Sequence, residues 1–208
     1  MIRTSSKLLA ALAFTLGLSA LGCESGGVGD PCVPEDEYRQ NFNGYASSEV
    51  NIESKSFQCE TRVCIVNHFQ GRVSCPYGQD EADLDLPATD PARCRIPGTD
   101  GTHVASDNSN IDEITVAVDP QLIERNANDT VYCSCRCKGP DANARYCECP
   151  SGYECTELVR ELGLPGRAQL AGSYCVKSGT VYNPTTGSAE TCDPVAQQDG
   201  CGADGKNP

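Results

Sequence analysis

Apolar residues are distributed unevenly along this chain of 208 residues. Leu8 to Gly22 forms one predominantly apolar stretch behind Arg3 and Lys7; beyond it, short alternating segments take over. In Arg62–Cys75, RVCIVNHFQGRVSC, a β-rich run turns near Gln70-Gly71 and returns through Val73, which predicts a hairpin. Ile114, Val116 and Val118 alternate with Thr115 and Ala117, the period of a half-buried strand. Cys133, Cys135 and Cys137 share one strand face, because alternate side chains do. After the turn-rich KGPDANAR, Cys147 and Cys149 repeat the pattern, so the expected register sets Cys137 opposite Cys147 and Arg136 opposite Glu148. The pattern then changes period. Ser151-Gly-Tyr-Glu154 has the form of a capping box, and Cys155, Leu158, Val159 and Leu162 make an i, i+3, i+4, i+7 stripe. Gly163 and Pro165 supply stop signals, so one short helix is expected near 151–162, with another strand in GSYCVKSG. The predicted class is a small β-rich α+β fold: one disulfide-stapled domain of short antiparallel strands with that single helix.

The first apolar run is an address. A positive start followed by about fifteen apolar residues is a secretory signal, too short to span a bilayer comfortably. No later segment approaches spanning length. The run ends in Ala20-Leu21-Gly22-Cys23, which resembles the lipobox of bacterial lipoproteins. That resemblance implies acylation of Cys23, which becomes the new N-terminus and holds the protein to a membrane by its acyl chains. Parity agrees: of fifteen cysteines, one used for lipid leaves an even number. The expected layout is a signal peptide at 1–22, a lipidated cysteine and pliable tether at 23–30, a disulfide-rich domain at 31–178 and a cysteine-containing tail at 179–208. Within the domain, 31–96 and 130–178 are cross-linked and 97–129 is an acidic, polar connection with one strand.

Composition decides what holds such a chain together. Leu, Ile, Val and Phe make up about 16% of the roughly 186 residues after the leader, and there is no Trp. The formal charge of −13 becomes about −15 once Arg3 and Lys7 leave. Little apolar surface with a large net charge is the signature of disorder unless something narrows the unfolded ensemble. Cys32, Cys59, Cys64, Cys75, Cys94, Cys133, Cys135, Cys137, Cys147, Cys149, Cys155, Cys175, Cys192 and Cys201 supply that restriction as structural disulfides. Five precede residue 97 and nine follow, so at least one bridge must join the halves. The negative charge excludes a nucleic-acid partner and leaves the acyl anchor as the only contact with anionic lipid.

The dense cysteines also allow a thiolate cage. C-x-C-x-C with a nearby C-x-C resembles metallothionein-like clustering, and soft sulfur suits Zn or Cu(I). An exported chain meets oxidising conditions, however, and the spacing lacks the C-x₂-C pairs and nearby histidines of structural zinc sites. Staples are the expected state. CECPSGYEC resembles the closing turn of EGF-like modules over nine residues. The chain after the leader resembles, in style, the cysteine-rich acidic lipoproteins of myxobacteria, a likeness that carries no active site.

Catalytic candidates are few. His68 lies four residues after Cys64, a conceivable nucleophile pair, and His103 has Asp100 and Ser106 near it in a polar loop. No serine elbow, phosphate loop, dinucleotide fingerprint or haem-attachment motif occurs. Asp80, Glu81, Asp83 and Asp85, with Asp90 beyond, form a base-free acidic run that could take Ca²⁺. The leading expectation is a non-enzymatic, membrane-tethered lipoprotein of the cell envelope, held at the outer membrane on its periplasmic face or at the cell surface, which binds an envelope protein or glycan or serves structurally. It has no cofactor beyond the covalent lipid. The alternatives are surface metal binding, through thiolates or carboxylates, and a hydrolase.

Overall fold

The computed structural model describes residues 26–161, 170–183, 190–196 and 201. Within them the fold is β-rich, with little helix. Six short strands form two three-stranded antiparallel sheets. The first contains β1 (Val50–Glu53), β2 (Val63–Asn67) and β3 (Val131–Ser134) in that order; the second contains β4 (Arg136–Lys138), β6 (Gly172–Lys177) and β5 (Tyr153–Val159). One short helix, α1 (Ala127–Thr130), precedes β3. Among the described residues, fourteen cysteines form seven disulfides.

β2 and β3 are buried on both faces, and their alternation shows how. Cys64 and Val66 of β2 and Val131 and Cys133 of β3 join a cluster with Cys32, Cys59, Tyr45 and Phe69. Ile65 and Tyr132, pointing the other way, pack with Tyr174 of β6. The chain passes from one sheet to the other through Cys135, whose carbonyl accepts from the Cys175 amide at 3.1 Å. Ser134 Oγ donates to the Cys175 carbonyl at 2.8 Å, and the Tyr132 hydroxyl accepts from the Lys177 amide at 2.8 Å. Burial pushes the Tyr132 phenol up to about 12.

The bridges divide the work by region. Cys32–Cys64 ties the N-terminal segment to β2, and Cys75–Cys94 floors a third apolar cluster with Ile114 and Val118. Cys59–Cys133 is the bridge that joins the two halves of the chain. Cys135–Cys147, Cys137–Cys155 and Cys149–Cys175 staple the second sheet, and Cys192–Cys201 closes the C-terminal segment. That segment returns to the body: the Cys192 amide donates to Gln121, and the Ile123 amide donates to Glu190.

Four sequence expectations need correction. The helix expected near 151–162 is strand β5, paired with β6 from Tyr153↔Lys177 to Val159↔Gly172. A register shift between Glu157 and Val159 lets both Leu158 and Val159 reach the Tyr132–Tyr174 cluster, which on a regular strand they could not. Leu158 and Val159 are half-buried, but Cys155 is exposed; the pairing partner is the central strand β6, and Cys137–Cys155 ties the segment to β4 as well. Leu162, Gly163 and Pro165 lie outside the described residues. Second, Cys147–Cys149 is not a strand opposite 133–137. Only the Cys147 amide reaches Arg136, and Cys147 bonds Cys135 rather than facing Cys137. Third, the cysteines at 133, 135 and 137 do not lie along one strand, because the ladder breaks at Cys135: the sulfurs of Cys135 and Cys137 each come within 4.8 Å of Cys175 Sγ, whereas that of Cys133 gathers with those of Cys32 and Cys59. Fourth, 62–75 is not a hairpin. β2 pairs with β1 and β3, while Gly71 forms a bridge with Tyr45. Gly71 has φ +82°, and a Cβ there would lie 2.2 Å from the Asp119 carbonyl oxygen, so the position is spent on close packing. In the 112–120 segment the alternation of burial holds, but its pairing is limited to isolated bridges at Glu113 and Val118.

Polar side chains complete what the apolar clusters leave open. Arg72 and Glu37 are fully buried together. The guanidinium donates to Glu37 Oε2 at 3.3 Å, to the Phe42 carbonyl at 2.7 Å and to the Arg39 carbonyl at 3.2 Å, as well as to the Glu37 carbonyl. The carboxylate also accepts from the Val73 amide and the Ser74 hydroxyl. Removing one member of such a pair strands a buried charge, whereas a solvent-exposed pair contributes little. Arg72→Leu should therefore lower stability by about 3–5 kcal/mol in guanidinium unfolding of the oxidised protein. Arg39→Ala, which breaks the exposed pair with Asp36, should cost no more than about 1 kcal/mol. Equal midpoints for the two variants would refute this assignment.

Candidate functional site

The segment 95–113 carries the most chemistry outside the bridges, and its backbone is built by short polar side chains. Ala105 N donates to Ser109 O at 2.8 Å and Ile111 N to His103 O at 3.0 Å, which makes 103–111 a small hairpin. Its tip is set by Asp107, whose Oδ1 accepts from the Ser109 amide and hydroxyl, and by Asn108 at φ 65°. Asparagine tolerates that left-handed conformation better than most residues. The sides of the hairpin present Val104 and Ile111 to solvent, 56% and 48% exposed. Arg93 and Gln40 hold its base. Arg93 Nη2 donates to Glu113 Oε2 at 3.2 Å and to the Ile114 carbonyl at 3.1 Å, and Gln40 Nε2 donates to the Asn110 and Glu113 carbonyls.

At that base three metal-type side chains converge. His103 Nδ1 lies 2.7 Å from Asp112 Oδ2 and 3.9 Å from Asp100 Oδ1. Asp112 is buried; its Oδ2 also accepts from the His103 amide at 2.9 Å, and its own amide donates to Asn110 Oδ1. Asp100 Oδ1 accepts from the Thr102 amide and hydroxyl, which fixes its rotamer. The hydrogen bond and charge of Asp112 raise the His103 pKa above its ordinary 6.5. Burial alone would raise the Asp112 carboxyl, but the His103 amide and ring hold it below the ordinary carboxylate value. Nothing in the local sequence pattern marks Asp112 as a site residue. The readable signal was the turn-forming Ser106-Asp-Asn-Ser109 between Val104 and Ile111, which folds 103 back onto 112. Ser106 sits near the tip, and the residue that joins Asp100 and His103 is Asp112.

Beside this segment runs a cleft of about 590 Å³, lined by Pro76, Tyr77, Pro91, Ile96, Pro97 and Pro194 among others, with Cys75–Cys94 in its wall. It is concave and of mixed polarity, with Asp83, Arg93 and Arg95 facing it beside the prolines.

The other candidates are spent on structure. Cys64 is bonded to Cys32, so it offers His68 no nucleophile. His68 lies past β2 at φ 53°, donates from Nδ1 to the Ser47 carbonyl and stacks on Tyr182 with ring centroids 4.0 Å apart. Burial, with Arg125 adding, lowers its pKa. In the acidic run, Asp80 Oδ1 accepts from the Ala82 and Asp83 amides, and Asp83 Oδ2 from the Asp80 amide. These carboxylates build a turn. Among the described residues, Asp80, Glu81, Asp83 and Asp85 do not form a group of three donors within 4.8 Å, as Asp100, His103 and Asp112 do. No helix among them is long and apolar enough to cross a membrane.

The His103–Asp112 contact has a pH signature. A raised histidine stabilises below its ordinary 6.5, and that stabilisation is lost as pH rises through the folded value; a lowered carboxyl stabilises above its ordinary 3.8, lost on acidification below it. The contact should hold best between those limits. In chelator-treated protein, the NMR titration of His103 should have a midpoint above 6.5, and Asp112→Asn should bring it down. An unchanged midpoint in that variant would break the link.

No protein-family model matches the chain, and neither a curated protein nor a solved structure is similar enough to it to count as a match.

Proposed function

We propose that this is an exported, lipid-anchored module of the cell envelope, held at the outer membrane through Cys23, which binds a protein or glycan partner without catalysing a reaction. The observation that carries the reading is the pairing of all fourteen described cysteines into disulfides, a state that belongs to an oxidising compartment. Cys23 is the one cysteine of the fifteen outside these seven described pairs, and acylation is the fate its lipobox-like setting implies. Bridged cysteines have no thiolate to offer, which weakens both the thiolate-cage alternative and a Cys64–His68 hydrolase. One stapled domain presenting the 103–111 hairpin and the neighbouring cleft is an economical binding device: the scaffold is rigid, and Val104, Ile111 and the proline-lined wall offer apolar contact.

Intact mass of the protein purified from membranes, before and after reduction, tests the reading. The expected result is the chain from Cys23 plus acyl groups, gaining fourteen hydrogens on reduction. Unacylated protein beginning elsewhere, or several thiols titrating in the unfolded, unreduced protein, would overturn it. Reduction should also abolish the folded circular-dichroism spectrum, because so thin a core cannot offset chain entropy unaided.

A further inference from the structure

The longest interval between described cysteines runs from Cys94 to Cys133, and the 95–113 segment lies inside it. Here sulfur supplies no cross-link, yet three donors from separate turns meet. Their side chains are fixed before any ion arrives. Asp112 is 4% exposed and tied to the His103 amide, and Asp100 is oriented by Thr102. His103 and Asp100 are 65% and 70% exposed, so an ion and its water ligands have an open approach.

We propose that Asp100, His103 and Asp112 form a site for a borderline divalent cation, Zn²⁺ being the fitting species, which clasps the base of the 103–111 hairpin. The donor set decides the class. One imidazole nitrogen with two carboxylates suits zinc, whereas Ca²⁺ and Mg²⁺ favour all-oxygen shells and Cu(I) favours sulfur. Spacing agrees. Zinc–ligand bonds of about 2.0–2.2 Å place tetrahedral donors about 3.3 Å apart. The separations of 2.7 Å and 3.9 Å from His103 Nδ1 lie on either side of that value, so small side-chain rotations suffice. Zinc would take the place of the proton between Nδ1 and Asp112. A neutral ring moves that proton to Nε2, and an imidazolium releases one to solvent. Three protein ligands leave at least one coordination position for water or for a partner's side chain.

The test uses the full-length oxidised protein, stripped with chelator and titrated with ZnCl₂ by calorimetry, with the His103 ring followed by NMR. Saturable uptake at this site should perturb the His103 ring and raise the melting temperature, since an ion that binds the folded state stabilises it. His103→Gln and Asp100→Asn replace exposed side chains and should keep the circular-dichroism spectrum of the folded apo protein while weakening zinc by about tenfold or more. Absence of saturable uptake, uptake unaltered by both substitutions, or equal response to CaCl₂ would overturn the site.

Discussion

Chain entropy is the constraint around which this protein is built. Ordering a residue costs about 1–2 kcal/mol, and most domains offset that by burying aliphatic side chains. Here the largest cluster contains four cysteines among nine buried members, and they stand where Leu or Ile would stand in another fold. The same sulfurs act twice. Once bonded they fill space as hydrophobes, and they also remove conformations from the unfolded chain. Neither role alone would suffice with so few aliphatic residues.

Disulfides fix points, and the chain between points still needs its amides and carbonyls paired. With short strands, long side chains provide much of that pairing. Gln58 accepts from the Val33 amide and donates to the Val33 carbonyl, as a neighbouring strand would. Gln79 accepts from the Cys94 amide while donating to the carbonyls of Ile114 and Val116. Arg125 collects the carbonyls of Asn67, His68 and Thr180, and its guanidinium lies over Tyr182. Arg72 and Arg93 do the same elsewhere. Arginine suits this role because its planar fork carries five donors and stays charged while largely buried. An acidic chain with a thin core thus relies on a few cations as internal brackets.

Local pattern revealed the β-rich class, the strand at 172–177 and the need for a bridge between halves, met by Cys59–Cys133. Those are properties of composition, alternation and parity. What local pattern could not reveal depends on distant partners. Tyr153–Val159 carries both a helical stripe and β-favouring Tyr, Thr and Val, and its pairing with β6 and the bridge to Cys137 decide between them. A helix of that length is marginal alone, so a modest nonlocal gain is enough to displace it. The 62–75 segment misleads for the same reason: Gly71 marks the approach of Asp119, a contact with no local trace. In the candidate site, His103 and Asp100 were visible as residue types, but Asp112 became their companion only through a hairpin turned by Asp107 and Asn108.

The distribution of cross-links then separates two mechanical regimes. Most bridges cluster on the two sheets, where opening a segment requires moving a covalently closed loop. The 95–113 segment is held instead by Asx-type hydrogen bonds, one His–Asp contact and the reach of Arg93 and Gln40. Such contacts are exchangeable with water and titrate, so this is where the fold can respond to its surroundings at low cost. A staple there would remove that freedom permanently. A set of oxygen and nitrogen donors leaves it conditional on proton and cation, and places the responsive element beside the cleft and on the most protruding apolar side chains of the hairpin.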